Sequence, residues 1–101
     1  MKEIKMLANM IRDEVQDAEK YAKLAVKYQD EDHDLSEAFE KLSRQEIEHA
    51  EILHTQAARL IERKKEAGEV PPVAMSAVWS WEHENMIDNL ARVKVLLSEL
   101  R

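Results

Sequence analysis

Three residues of this sequence have the types and the spacing of metal ligands. Glu46 and His49 are three positions apart, which on an α-helix separates their directions by about 60°, so both can point at one object. Glu14 lies 32 positions before Glu46, in a segment where apolar residues recur in steps of three and four. Carboxylate oxygens and a neutral imidazole nitrogen are ligands that divalent transition metals accept. We therefore take Glu14, Glu46 and His49 as the candidate metal ligands.

These three residues interrupt stripes that are otherwise apolar. Glu14 interrupts the stripe of the first segment, and Glu46 and His49 fall between Leu42 and Leu53 in the second. Burying an unpaired charge costs several kcal/mol, so three polar side chains in so small a core need a compensating partner. A metal ion would supply the positive charge that keeps both carboxylates ionised. The alternative is an internal salt bridge or hydrogen bond among the same three groups.

The elements that must position these side chains are three long helices. Apolar periodicity predicts helices at residues 1–28, 35–66 and 72–100. Asp34, three residues before Glu37, resembles a capping box at the start of the second helix. Gly68 suits the cap after that helix, and Pro71-Pro72 can begin the third. The expected core stripe of the second helix consists of Leu35, Phe39, Leu42, Leu53, Ala57 and Leu60.

The register of the first two helices predicts that the three candidate ligands meet. Short connections between long helices imply antiparallel neighbours. Glu14 lies about 15 residues before the first connection, while Glu46 and His49 lie about 12 and 15 residues after Asp34. All three are therefore expected at one level of the hairpin, to within a helical turn.

The third helix brings its polar side chains to a different level. Its best additional ligands are Glu82 and, beside it, His83. On an antiparallel third helix, however, the level of His49 falls near Leu90, and Glu82 is eight residues short of it, or about 12 Å. We therefore expect Glu82 and His83 near the level of His54, as caps, as salt-bridge partners or as a weaker second metal site with His54.

Composition limits the class of protein. The 101 residues include one glycine, two prolines and no cysteine, which favours a single all-helical domain and excludes disulfides, thiol catalysis and iron–sulfur ligation. The net charge of −6 argues against nucleic acid and anionic membranes as partners. The sequence shows neither a membrane-length apolar run nor a signal-peptide pattern, so we expect a cytoplasmic protein. A small core favours self-association, and one of Trp79 and Trp81 is expected to face a partner.

Two motifs carry a resemblance to a known class of metalloprotein. Glu14 with Tyr21 seven residues later, and then Glu46-x-x-His49 followed by alanine, resemble half of a rubrerythrin or ferritin-like di-iron site. The resemblance covers about residues 8–60 and implies a ferritin-like antiparallel helical hairpin. The third amphipathic helix lies outside it.

The half-site determines the expected assembly. A complete site of this class takes a Glu from each of two helices and a Glu-x-x-His from each of two others, whereas this chain has one copy of each. A twofold homodimer, or a multiple of dimers, would complete a four-helix-bundle-type core and hold two iron ions per dimer. This arrangement resembles the encapsulated ferritins. The C-terminal residues Leu96–Arg101 resemble no shell-targeting tail, so we do not expect loading into a shell.

The resemblance implies iron binding and a ferroxidase-type reaction, in which Fe(II) is oxidised by oxygen or peroxide at the shared site. Glu14 is then a terminal or bridging ligand, Glu46 the bridging carboxylate and His49 the terminal nitrogen ligand. Manganese or zinc could occupy the same ligands. Tyr21, two turns along the face of Glu14, either supports the site or belongs to the core. The competing interpretation is a non-catalytic interaction or assembly module with a metal-free polar core.

Overall fold

Three α-helices account for most of the chain. The computed structural model describes residues 2–69 and 73–100, and over these residues it contains three helices and no strand. The helices are α1 (Lys2–Tyr28), α2 (His33–Glu66) and α3 (Val73–Ser98). The predicted all-α class is confirmed, and the predicted boundaries at residues 28, 35, 66 and 100, which fall on described residues, lie within two residues of the observed ones. The predicted start of the third helix at Pro71-Pro72 lies outside the described residues.

The start of α2 differs from the prediction. The N-cap is Asp32, whose side chain accepts a hydrogen bond from the Leu35 backbone N–H at 3.1 Å. Asp34 therefore lies in the first turn and does not cap the helix. The cause is the tightness of the preceding turn, which the Asp32 N–H closes onto the Tyr28 carbonyl at 2.9 Å. At the other end, Gly68 adopts a φ of +76° just beyond α2, as its predicted role in the cap requires.

The seam between α1 and α2 is built from small residues. The fully or almost fully buried residues along it are Ala18, Ala22, Ala25, Ser36, Ser43, Ala50 and Ala57. Ser43 Oγ donates a hydrogen bond to the Ala18 carbonyl at 2.7 Å, and Ser36 Oγ donates one to the Ala25 carbonyl at 2.6 Å. Each bond joins a short side chain on α2 directly to the backbone of α1. The two helices therefore approach closely.

This seam corrects the predicted core stripe of α2. Leu35 and Leu42, expected in the core, are each 37% exposed, whereas Ser36 and Ser43 are buried. The physical reason is steric, because a close helix pair accommodates serine and alanine at its centre and displaces leucine sideways. The large apolar residues of α2 therefore lie beside the seam.

The third helix packs mainly against α1 and runs parallel to it. Leu90 belongs to a buried cluster with Ile11 and Val15, and Val93 further along α3 belongs to one with Ala18. Later residues of α1 thus contact later residues of α3, so the two helices run in the same direction. The molecule is a rod with principal extents of 56 × 17 × 17 Å.

One side of the hairpin is left uncovered by α3. Helical geometry directs Ile47 and His54 of α2 toward α3, and Leu42 and His49 toward the other side. On α1, Met10 lies on that other side and is 42% exposed. We call this surface the open face and define it by Met10, Glu14, Leu42, Glu46 and His49.

Candidate metal centre

The structure brings the three predicted ligands together between α1 and α2. His49 Nδ1 lies 3.5 Å from Glu14 Oε2 and 3.7 Å from Glu46 Oε2. One potential ligand atom from each residue lies within 4.8 Å of the others. Among the described residues this is the only group of three or more His, Asp or Glu side chains arranged in this way. Their assignment as metal ligands stays a prediction.

The burial and hydrogen bonding of the Glu46 carboxylate indicate whether a cation fits between these three side chains. The Glu46 side chain is 17% exposed, and its Oε2 atom is buried with no hydrogen-bond donor. The 3.7 Å separation from His49 Nδ1 is too long for a hydrogen bond. A buried carboxylate oxygen without a donor is costly and calls for an explanation, such as a cation that binds there. Two carboxylates and one imidazole fit Fe(II), and equally Mn(II) or Zn(II).

The group opens onto the surface. His49 is 53% exposed and Glu14 is 28% exposed, so the centre lies at the edge of the seam and not within it. Ala18 and Ala50 fill the seam close by, which leaves the longer glutamate to extend along the open face.

Tyr21 belongs to a row of aromatic rings. Its ring stacks on Phe39 with centroids 6.2 Å apart, and Phe39 stacks in turn on Tyr28 at the same distance. This packing accounts for a half-buried tyrosine without any role in the centre. Support of the metal ligands by Tyr21 stays a prediction.

The remaining predicted residues form a separate cluster between α2 and α3. His54 Nε2 and His83 Nδ1 are 3.0 Å apart, and the Trp79 ring stacks on His54 with centroids 6.0 Å apart. Burial first, and the neighbouring His83 second, lower the pKa of His54 below its ordinary value, so His54 is neutral at neutral pH. The level that the register predicts for His83 agrees with this contact.

Glu82 is held by a residue that sequence reasoning missed. Its side chain is 13% exposed and lies 3.4 Å from the guanidinium of Arg12 on α1. The positive charge of Arg12 offsets the cost of burying most of the Glu82 carboxylate. Only the parallel packing of α3 on α1, which periodicity does not reveal, brings the two together. Glu82 contributes nothing to the group of Glu14, Glu46 and His49.

Fold and site together define a class: an all-α protein with a close helical hairpin and a carboxylate–histidine group between its two helices. The rubrerythrin family model matches residues 5–94 of the chain, which covers α2, most of α1 and α3, and all three candidate ligands. The chain belongs to the rubrerythrin family, and its fold is ferritin-like. The match extends the predicted resemblance from the hairpin through most of α3.

Proteins of this family typically bind iron, and this chain carries a candidate Glu–Glu–His group for it. No curated protein and no solved structure shows significant similarity to the chain. Over the residues that the structure describes, no helix combines the length and the apolar character of a membrane span.

Proposed function

We propose that this protein binds iron through Glu14, Glu46 and His49, and that two chains together form a di-iron site at which Fe(II) is oxidised. The observation that carries the proposal is the buried Oε2 of Glu46, which has no hydrogen-bond donor among the described residues. A cation at this place would satisfy that oxygen. Membership of the rubrerythrin family makes iron the first metal to test.

The requirement for a second chain follows from the number of ligands. Three protein ligands make half of a di-iron site of this class, which takes two further carboxylates and a second imidazole. The half-exposed His49 lies on the open face, beside the exposed Leu42 and Met10. In a twofold dimer each patch meets its own copy, so one contact would bring both half-sites together and cover the apolar side chains.

The side chains have separate tasks in this proposal, with Fe(II) as the substrate. Glu46 accepts a cation at its buried oxygen, and Glu14 faces it from the other helix as a terminal or bridging carboxylate. His49 offers Nδ1, the atom nearest to both carboxylates. When bound, each iron supplies one electron to oxygen or peroxide and becomes Fe(III), which hard carboxylate ligands favour.

The alternative function is a metal-free interaction or assembly module. One observation favours it: His49 Nδ1 lies within 4 Å of both carboxylates, so a protonated His49 could pair with them. In that case the three residues would form a polar patch of the hairpin without any ion. The two functions differ in their response to iron.

An anaerobic Fe(II) titration of the metal-free protein separates them. We expect saturation near one iron per chain, and loss of this binding in Glu46→Gln, which keeps the size of the side chain and removes its charge. Glu48→Gln is the matched control, since Glu48 is an exposed glutamate of the same helix. Admission of oxygen should then produce the Fe(III) absorbance in the wild type and in the control only.

Two outcomes would contradict the proposal. Wild-type protein that binds no iron would leave the interaction module as the better account. Iron binding that survives Glu46→Gln unchanged would place the metal elsewhere in the chain.

A further inference from the structure

The pair of histidines between α2 and α3 is not used by the iron site. His54 follows His49 by five residues, so its side chain points about 140° away around α2. It meets His83 of α3 instead, with His54 Nε2 and His83 Nδ1 3.0 Å apart. The pair and the open face thus lie on different sides of the hairpin.

We propose that His54 and His83 form a second metal site, selective for nitrogen-preferring divalent ions, Cu(II) or Ni(II). Two nitrogens 3.0 Å apart, each about 2.0–2.1 Å from one ion, subtend an angle of about 95° at that ion. Neighbouring positions of a square-planar or octahedral ion are separated by a right angle, whereas tetrahedral Zn(II) needs a wider one. The spacing therefore favours Cu(II) and Ni(II), which also bind imidazole strongly.

The surroundings prepare both rings for this role. Trp79 stacks on His54 and also lies against His83, with ring centroids 6.0 and 6.2 Å away, so it restricts both rings. The lowered pKa of His54 keeps its imidazole neutral at neutral pH. A neutral imidazole carries its single proton on either nitrogen, so each ring can move that proton to the nitrogen away from its partner. Both facing nitrogens then offer lone pairs to one ion.

Space for the remaining ligands lies next to the pair. A cavity of about 20 Å³ is lined by both histidines, by the polar side chains of Glu82, Asn85 and Asn89, and otherwise mainly by apolar side chains of α1 and α3. This volume accommodates about one water molecule. The nearby Glu82 carboxylate is already paired with Arg12 at 3.4 Å, and Asn89 Oδ1 accepts a hydrogen bond from Arg92, so we assign the further positions to water and to the amide oxygen of Asn85. Nitrogen ligands with neutral oxygens distinguish this site from the carboxylate-rich iron site.

A metal at this place would join two helices that are otherwise held together mainly through α1. His54 belongs to α2 and His83 to α3, so one ion would crosslink the end of the hairpin to the third helix. A ligand that binds only the folded state stabilises it by mass action. Copper binding should therefore raise the melting temperature as well as produce a spectrum.

The test is a Cu(II) titration of the full chain carrying His49→Gln, which removes the nitrogen ligand of the iron site. We expect one bound copper per chain, with coupling to two nitrogens in the electron paramagnetic resonance spectrum and a raised Tm. The further change His83→Phe keeps a ring beside Trp79 and should weaken copper binding by roughly 100-fold or more. It should also abolish the two-nitrogen coupling and the gain in Tm.

Controls keep the result specific. His33→Ala removes the other remaining histidine, which is exposed and paired with Glu37 at 3.1 Å, and should leave the copper signal unchanged. His83→Asn replaces His83→Phe if the latter fails to fold. The proposal is overturned if His49→Gln binds no copper with two-nitrogen coupling, or if the His83 variants keep it. Fe(II) binding by His83→Phe in the otherwise wild-type chain should be normal, which separates this site from the iron site.

Discussion

At the scale of single residues, the metal binding that we propose for Glu46 conflicts with the stability of the metal-free chain. Its Oε2 is buried without a donor, so the metal-free protein carries a carboxylate that would be more stable in water. Residues that serve a site commonly reduce stability in this way, because the site's partner is absent until it binds. The conflict is specific to Glu46, since Glu14 and His49 are more exposed.

This conflict predicts that Glu46→Leu stabilises the metal-free protein by about 1–2 kcal/mol, because an apolar side chain of similar size replaces an unsatisfied charge. For a chain of this length the change corresponds to a rise in Tm of roughly 4–16 °C. Thermal unfolding with a chelator measures it. Glu48→Leu is the exposed control and should change stability by less than about 0.5 kcal/mol. A lower Tm for Glu46→Leu would instead support the metal-free polar core.

At the scale of helices, the seam of small residues controls the distance between Glu14 on α1 and the two candidate ligands on α2. Ser43 is fully buried on this seam and lies less than one turn before Glu46. Its hydroxyl donates to the Ala18 backbone, so nothing larger fits without moving the helices apart. The geometry of the candidate site thus depends on a residue that touches no metal.

We expect Ser43→Leu to weaken iron binding although every ligand is intact, because overpacking separates the helices and costs about 1–3 kcal/mol. Ser36→Leu is the matched control, since Ser36 makes the same kind of bond two turns earlier, next to Ala25. It should lower stability by a similar amount and leave iron affinity close to that of the wild type. Parallel Fe(II) titrations and thermal melts measure both quantities. Equal iron affinity in the two variants would show that the seam does not position the ligands.

A feature of these helices can be predicted from the sequence only where it leaves a recognisable pattern of residues. Apolar periodicity and one glycine were sufficient for three helices and for the end of α2. The short first connection was sufficient for the meeting of Glu14, Glu46 and His49. Periodicity does not distinguish small from large apolar residues, so it assigned leucines to a seam that Ser36 and Ser43 occupy.

The position of α3 is the other feature that the sequence does not reveal. An apolar stripe indicates that a helix face is buried but not against which neighbour, so the packing of α3 mainly on α1 could not be predicted, whereas its parallel direction follows from the two short connections. The pairing of Arg12 with Glu82 was hidden for the same reason, because the two residues are 70 positions apart. The contact between His54 and His83 could be predicted, because the short connection between α2 and α3 brings the two residues to the same level.

At the scale of the whole molecule, the shape leaves a long surface uncovered. The rod measures 56 × 17 × 17 Å, so one of its sides spans roughly 950 Å², compared with about 800 Å² per partner in a standard stable interface. The open face lies on one such side and combines exposed apolar side chains with the half-site. Other exposed apolar residues, such as Trp81 and Val95, lie on α3, away from that face.

If the open face forms the twofold interface, Leu42→Glu should convert the protein to monomers, because a twofold contact places like charges close together and buries them. Val95→Glu is the matched control, since Val95 is 61% exposed on α3, and it should leave the assembly unchanged. Sedimentation velocity of the two variants measures the change. Leu42→Glu should also lose Fe(II) oxidation, while its monomers keep weak iron binding through the half-site. Oxidation by a monomeric Leu42→Glu protein, or loss of the dimer in Val95→Glu alone, would show that the open face does not complete the site.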